Sequence, residues 1–182
     1  MLNSFITAMN KIPIYINECK RLNIKIERPD INKSFSKFTV DKDNIIFGLS
    51  AIKNVGEGAV NAITKEREVN GKFTSFIDFC KRIASEDVNK KCIESMIKAG
   101  AFDNLESNRN TLLCSFENII DMINSDKRRA LSGQLNMFET NTEVVKDETL
   151  YKLIPQKELD KKYLLSMEKE VLRNLCVRSS IR

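Results

Sequence analysis

The chain has 182 residues, of which 42% are hydrophobic and 30% charged, with a net charge of +5. This composition is sufficient for a buried core, predicts one globular domain with an appendage, and excludes a linker or low-complexity protein. There is no histidine, and the five cysteines form no Cys-x-x-Cys pair, which excludes zinc fingers and histidine-dependent nucleophilic enzymes. The positive charge suits a phosphate-bearing partner, but many soluble proteins carry as much.

The sequence predicts neither a secretion signal nor a membrane-spanning segment. Polar residues such as Asn3, Thr7 and Lys11 interrupt the first 20 residues, so no secretion signal is predicted. No apolar run approaches membrane-spanning length. We therefore expect a soluble, cytoplasmic protein without a membrane partner.

In chain order, the apolar pattern begins with a predicted helix over residues 10–22. Residues 38–40 and 45–47 then predict two short strands around a polar turn. The pattern afterwards is helical, which gives a mainly α fold with a short two-stranded β element near residues 37–47 and a C-terminal tether plus helix. The later predicted helices cover 49–53, 59–68, 76–83 opened by Thr74, a segment capped by Asn89 and stopped by Gly100, a long helix from Ser107 or Asn108 through Ile123, and 156–172.

Residues 49–63 have the layout of a helix-hairpin-helix motif. The two short helices need a tight turn whose residues accept positive φ, and we expect Asn54 and Gly56 to supply it. Val55 is expected to insert between the helices, with Ile52 and Ile63 packed across them. An ordinary turn between packed helices is the alternative.

Such a hairpin leaves backbone N–H groups without partners at the start of its second helix. These donors and the helix dipole form an anion site that suits a DNA phosphate and reads no base sequence. Arg67 would add positive charge nearby. The predicted DNA-binding residues at this hairpin are Lys53, Asn54, Val55, Gly56, Glu57, Gly58 and Lys65.

Several short blocks occur in one order along nearly the whole chain. They are Glu18-Cys-Lys-Arg-Leu22, Pro29-Asp-Ile-Asn32, Phe47-Gly-Leu-Ser-Ala-Ile-Lys-Asn-Val-Gly56, Val88-Asn-Lys-Lys91, Ile97-Lys-Ala-Gly-Ala-Phe-Asp103 and Asn108-Arg109. Together they resemble the stretch of bacterial DNA polymerase III alpha subunits that runs from the end of the fingers into a tandem helix-hairpin-helix domain. The Asn-Val-Gly turn is typical of that family.

The resemblance implies that the parent enzyme is a DNA-directed DNA polymerase, a nucleotidyltransferase that acts with magnesium in DNA replication. Its catalytic aspartates lie upstream, and nothing in this chain matches them. We therefore expect this chain alone to be inactive and to hold no cofactor. The expected partners are the DNA backbone, the bacterial sliding clamp and the rest of the alpha subunit.

The block around Gly100 resembles the second, degenerate hairpin of the same family. The resemblance adds Gly100, Asn108 and Arg109 to the predicted DNA-binding residues, with Asn108 and Arg109 starting the next helix close to a phosphate. For Arg109, a surface ion pair is an equally good alternative.

A clamp-binding peptide is predicted at residues 134–138. The sequence Gln134-Leu135-Asn136-Met137-Phe138 resembles the peptide by which replication proteins dock on the bacterial sliding clamp. Leu135, Met137 and Phe138 suit insertion into an apolar groove, and Gln134 suits its polar edge. The alternative is a helix end that folds its Met and Phe onto its own core.

The resemblance ends at Leu172. Family members continue with a segment like Gly-Ile/Phe-Tyr-Val-Ser-Gly-His-Pro-Leu, and codons compatible with residues 173–182 spell it when read one base later. We therefore hypothesise a frameshift near Leu172 and a gene fragment or a cut chain. The predicted domains are 1–28, similar to the end of the fingers; 29–128, the β-hairpin and tandem helix-hairpin-helix domain; 129–155, a tether with the clamp-binding peptide; and 156–182, a terminal helix with a frameshifted tail.

Two other function classes stay open at this point. A stand-alone helix-hairpin-helix repair lyase or glycosylase would need an activated residue beside the hairpin, and Asp78 and Lys81 are the nearest candidates. A structural helical module without DNA binding is the other. It differs from a DNA-holding domain in predicting no salt-sensitive affinity for DNA.

Overall fold

The computed structural model describes residues 18–19, 21–83, 88–131 and 151–172, and over these the chain is mainly α, as predicted. The predicted peptide at 134–138, the tail at 173–182 and most of the first predicted helix lie outside the described residues. None of the described helices is both long and apolar enough to cross a membrane. The elements are strands β1 (Lys25–Glu27), β2 (Thr39–Asp41) and β3 (Asn44–Ile46), a 3-10 helix (Leu49–Ala51), and helices α1 (Glu57–Asn70), α2 (Phe76–Arg82), α3 (Lys90–Ala99), α4 (Arg109–Leu131) and α5 (Lys161–Val171).

The β element is a three-stranded sheet in the order β1-β3-β2. β2 and β3 are antiparallel, with Val40 opposite Ile45, which confirms the predicted strand–turn–strand. β1 pairs with β3 in parallel, with Ile26 opposite Ile45. β1 was not predicted from the sequence, because its partner strand lies 19 residues along the chain (Lys25 opposite Asn44) and no short polar turn joins the two.

Helix ends follow the predicted signals in most places. Asn89 caps α3 with its side-chain oxygen, and Gly100 ends that helix in the left-handed conformation at φ 82°, both as predicted. The predicted start of α2 was wrong by one residue, because Ser75 rather than Thr74 caps the helix, 3.0 Å from the N–H of Asp78. Thr74 instead donates its own N–H to the Asp78 carboxylate at 2.9 Å, so the two ends of the turn cap each other.

Aromatic side chains fix the second hairpin region to α2. Phe102, in the turn after α3, lies edge-on to Phe76 and Phe79, with ring centroids 5.1 and 5.0 Å apart. Phe73 packs edge-on to Phe79 at 5.1 Å. All four rings are buried, so this cluster forms the centre of the core.

Gly100 occupies a place where a side chain has no room. A Cβ at this position would overlap the guanidinium of Arg109, and φ 82° is strained for any L residue. Gly56 is different, because its φ is −82° and a Cβ there would meet nothing within 4 Å. The two glycines therefore make a matched pair for mutation.

We expect Gly100→Ala to lower the free energy of unfolding by about 2 kcal/mol or more, through backbone strain and displacement of Arg109. Gly56→Ala should lower it by less than about 1 kcal/mol. Urea unfolding followed by circular dichroism measures both. Equal losses from the two variants would contradict the packing around Gly100.

Candidate nucleic-acid interface

The first hairpin has the predicted turn, with one correction. Asn54 adopts positive φ, at 63°, as expected. Gly56 does not, and the expectation that it supplies positive φ was wrong, since one left-handed residue is enough to reverse the chain here. Val55 is buried in the hairpin, and Ile52 and Ile63 are buried on either side of it, as the motif predicts.

Two hydrogen bonds hold the hairpin turn in place from outside. The Asn54 side chain donates to Ser95 Oγ on α3 at 3.0 Å, and Ser95 is itself buried. The N–H of Lys53 donates to the carbonyl of Val171 at the end of α5, at 2.8 Å. The turn is therefore braced by α3 and α5, two helices that are not part of the hairpin motif itself.

The N-terminus of α1 is exposed and lacks a capping side chain. Its N-cap is Gly56, which has no side chain to accept from the first-turn N–H groups, and among the residues that the structure describes no other side chain caps it. Gly56, Glu57 and Gly58 are all exposed. A 14-residue helix places its positive dipole end at these groups, so the turn offers backbone donors to an anion.

The basic residues near this helix divide into two kinds. Lys53 and Lys65 are exposed and available to an anion. Arg67 is buried, and the expectation that it adds charge to the site was wrong. Its guanidinium donates to the carbonyls of Ile31 and Ser34, both at 3.0 Å, and burial lowers its pKa.

Arg109 is 1% exposed and is not presented to a phosphate. Its guanidinium makes two 2.7 Å hydrogen bonds to Asp103, donates to the Lys98 carbonyl at 3.0 Å, and lies 3.0 Å from Glu168 on α5. Burial lowers the pKa of Arg109, but hydrogen bonding to Asp103 and the charges of Asp103 and Glu168 more than offset it and raise that pKa. Of the two expected roles, the structure assigns the ion pair, although a buried one, and Gly100 lies beneath it.

The start of α4 holds a carboxylate that the sequence analysis missed. Asn108 caps the helix by accepting from the N–H of Thr111 at 2.9 Å. The Glu158 carboxylate accepts from the N–H of Arg109 at 2.9 Å and from that of Asn110 at 3.3 Å. Asn108 and Arg109 are thus occupied by the protein itself in the place where the sequence predicted a phosphate.

The residues proposed for repair chemistry have structural partners. Asp78 accepts from Thr74 and forms an ion pair with Arg82 at 3.2 Å. The Lys81 ammonium lies 4.7 Å from the ring centroid of Tyr151, in a cation–π contact. Both side chains are engaged by neighbouring groups, whereas an activated nucleophile or base must be free to react with a substrate.

Comparison with known sequences agrees with this geometry. The profile of the helix-hairpin-helix motif family matches residues 23–112. The chain is 38% identical over 171 residues to the DNA polymerase III subunit alpha of Borreliella burgdorferi, covering 94% of this chain and 15% of that protein. Its identity to the Thermus aquaticus subunit is 39% over 163 residues, covering 90% of this chain and 13% of the relative. That to the Saccharopolyspora erythraea subunit is 37% over 167 residues, covering 90% and 14%.

The braced turn, the uncapped helix behind it and the matched profile define a helix-hairpin-helix protein. Within that class, the chain belongs to the bacterial DNA polymerase III alpha-subunit family. It spans about one seventh of the length of the relatives, at 13–15%.

The buried ion pair leads to a test of stability. Arg109→Met should lower the free energy of unfolding by about 3–5 kcal/mol, because it leaves the buried Glu168 charge without its partner and leaves Asp103 paired with Arg28 alone. Lys90→Met is the matched control, since the 2.6 Å Lys90–Asp121 pair is largely exposed and should contribute less than about 1 kcal/mol. Chemical denaturation measures both, and similar losses would mean that the Arg109 cluster does not hold the helices together.

Proposed function

We propose that this chain holds DNA backbone without reading base sequence and does so through the hairpin before α1. The observation that carries the proposal is the exposed, uncapped N-terminus of α1 at Gly56, immediately after a braced turn. Backbone N–H groups at such an end can donate to a phosphate, and the helix dipole favours negative charge there. Exposed Lys53 adds charge attraction beside it, and exposed Lys65, about 12 Å further along α1, adds a weaker one.

The rigidity of the turn supports this proposal. A phosphate gains most from donors that are already in position, because fewer groups must be ordered on binding. The bonds of Asn54 to Ser95 and of Lys53 to Val171 hold the turn against α3 and α5 before any ligand arrives. The absence of a Cβ at Gly56 lets a phosphate oxygen approach the backbone closely.

The substitution that tests the proposal is Gly56→Asp. An Asp at the N-cap accepts from the first-turn N–H groups, so the free energy of unfolding should stay within a few tenths of a kcal/mol or rise. DNA affinity should fall about tenfold or more, and the slope of log affinity against log salt should become shallower by about 1. Fluorescence anisotropy with a labelled duplex, over a series of salt concentrations, gives both quantities.

Two lysines supply the matched control for charge. Lys53→Gln removes a cation beside the hairpin and should weaken DNA binding. Lys72→Gln makes the same change just beyond the far end of α1, about 21 Å along the helix, and should leave binding nearly unchanged. Salt-sensitive DNA binding that responds equally to both variants and not to Gly56→Asp would reject the hairpin as the contact. No salt-sensitive binding at all would favour the structural-module alternative.

We propose further that residues 134–138 dock on the bacterial sliding clamp. The residue types support this, since Leu135, Met137 and Phe138 can fill an apolar groove while Gln134 satisfies its polar edge. The chain leaves α4 at Leu131, and Tyr151 donates its hydroxyl to Asp126 of that helix at 2.6 Å. The segment between them therefore begins and ends at one end of α4, attached to the domain that holds DNA.

Calorimetry with a purified bacterial sliding clamp tests this second proposal. We expect micromolar binding by the parent chain, in the range of short groove-binding peptides (about −8 kcal/mol), and its loss in the Met137→Ala/Phe138→Ala double variant. Asn136→Ala is the control, because its side chain is not expected to enter the groove. Equal heats from the parent and the double variant would show that residues 134–138 do not contact the clamp. No heat from either would reject clamp binding.

The nucleotidyl transfer implied by the relatives' name is proposed for the longer protein and not for this chain. We propose that residues outside this chain supply the catalysis and bind its magnesium, while this segment binds the DNA backbone. Template-directed primer extension by the purified chain should give no product. Extension that persists in a preparation purified through a second affinity step would overturn this assignment.

A further inference from the structure

The side of α5 opposite its buried residues carries two lysines and no acid. The helix begins at Lys161, whereas the sequence predicted it from residue 156. Its buried residues are Leu164, Met167, Glu168 and Val171. With about 100° between successive residues, Lys162 and Lys169 differ by only about 20° in direction and point away from the buried side, with Ser166 between them. All three are exposed, and we name them the lysine face of α5.

The acidic side chains of α5 and of the segment before it are, with one exception, engaged elsewhere. Glu158 accepts from the N-terminus of α4, and Glu168 is buried in its ion pair. Glu170 is turned towards α3, where it lies 3.5 Å from Lys98. Only Asp160, at the N-cap of α5, is exposed without such an engagement in the part of the chain that the structure describes. The lysine face is therefore positive along its whole length.

The two lysines of this face lack counterions. Neither Lys162 nor Lys169 forms an ion pair with any residue that the structure describes, whereas Lys98 on α3 also lies 2.9 Å from Glu94. Seven residues of helix separate the two lysines by about 10 Å, which is about three base-pair rises of a duplex. Their long, flexible side chains can therefore reach separate phosphates of one DNA backbone.

The C-terminus of α5 lies against the first hairpin. The N–H of Lys53 donates to the carbonyl of Val171 at 2.8 Å. Lys169 precedes Val171 by two residues, or about 3 Å along the axis, so the lysine face begins within about 10 Å of the hairpin backbone. That distance is close to the Debye length at physiological salt, about 8 Å. A polyanion held at the N–H groups after Gly56 is therefore still attracted by the lysine face.

We propose that the lysine face of α5 is a second contact for the DNA backbone and continues its path from the first hairpin. The proposal rests on the proposed function, because the hairpin supplies the start of that path. Lys169 contacts the backbone next to the hairpin, and Lys162 contacts it about 10 Å further along α5. The contact is thereby lengthened to about 20 Å, or about six base pairs, and reads no base sequence.

The double variant Lys162→Gln/Lys169→Gln tests the proposal. Both residues are exposed, so the melting temperature should change by less than about 2 °C. Affinity for a labelled duplex should fall about tenfold at low salt, and the slope of log affinity against log salt should become shallower by about 2. Fluorescence anisotropy over a series of salt concentrations gives both quantities. Lys162→Arg/Lys169→Arg keeps both charges and should stay within about threefold of the parent.

The matched control removes the same charge from another part of the surface. Lys72→Gln/Lys152→Gln changes two exposed lysines. The Lys72 carbonyl accepts from Arg82 of α2, and Lys152 follows Tyr151, which bonds to the later part of α4. DNA affinity of this variant should change by less than about twofold. Acetylation of the parent chain with and without DNA, followed by mass spectrometry, should show protection of Lys162 and Lys169 but not of Lys72 and Lys152.

Equal losses of affinity in the two glutamine variants would overturn the proposal, because net charge alone would then account for binding. Parent-like affinity of Lys162→Gln/Lys169→Gln would overturn it as well. Gly56→Asp separates this proposal from the proposed function. A loss from Gly56→Asp alone would leave the hairpin as the contact and reject the lysine face. A loss from the lysine variant alone would place the contact on α5 and reject both the hairpin and the continuous path.

Discussion

The buried guanidinium of Arg109 is the interaction on which the arrangement of the helices depends. It joins the end of α3, through the Lys98 carbonyl, and the turn after it, through Asp103, to Glu168 on α5. A buried charge that loses a partner is strongly destabilising, so all these groups must stay together or separate together. Gly100 is glycine because any side chain there would displace this group. Helices distant in sequence are in this way held in one fixed relation, and the first hairpin is braced against two of them.

The two hairpins differ in the groups that meet the N–H donors at their helix N-termini. Both end in a helix whose N–H groups favour an anion, because all helix N-termini do. At α1 the site is exposed, no side chain of the described residues caps it, and exposed Lys53 lies in the turn before it. At α4 the same chemistry is used inside the protein, where Glu158 accepts from the helix end. The difference lies in one carboxylate supplied from about 50 residues further along the chain.

Much of the fold could be predicted from the sequence, because its signals are local. Asn89, Asn108 and Gly100 act as helix caps, and Asn54 takes the positive φ that its turn requires. The failures come from contacts between distant residues. The burial of Arg109 and Arg67 depends on partners in other elements, and nothing local distinguishes either from an exposed arginine.

Residues 151–160, which pack along α4, illustrate the same limit, although one sequence signal was available. Asn108, Thr111 and Ser115 are spaced by three and four residues, which places small polar side chains on one face of α4. Such a polar stripe on an otherwise amphipathic helix indicates that another segment of the chain supplies its hydrogen-bond partners. It does not identify that segment, and Glu158 could be found only once the chain was folded. The last helix begins at Lys161 and not at residue 156 for the same reason, since residues 156–158 bond to α4.

The central claim is that DNA is held at the first hairpin and excluded from the second. The most direct measurement is a backbone amide NMR titration of the intact chain with a short DNA duplex at low salt. We predict that the amides of Gly56, Glu57 and Gly58 shift as DNA is added, while those of Arg109 and Asn110, already bonded to Glu158, do not. Shifts at Arg109 and Asn110 with none at Gly56 would contradict the account, because DNA would then occupy the helix end that the protein closes.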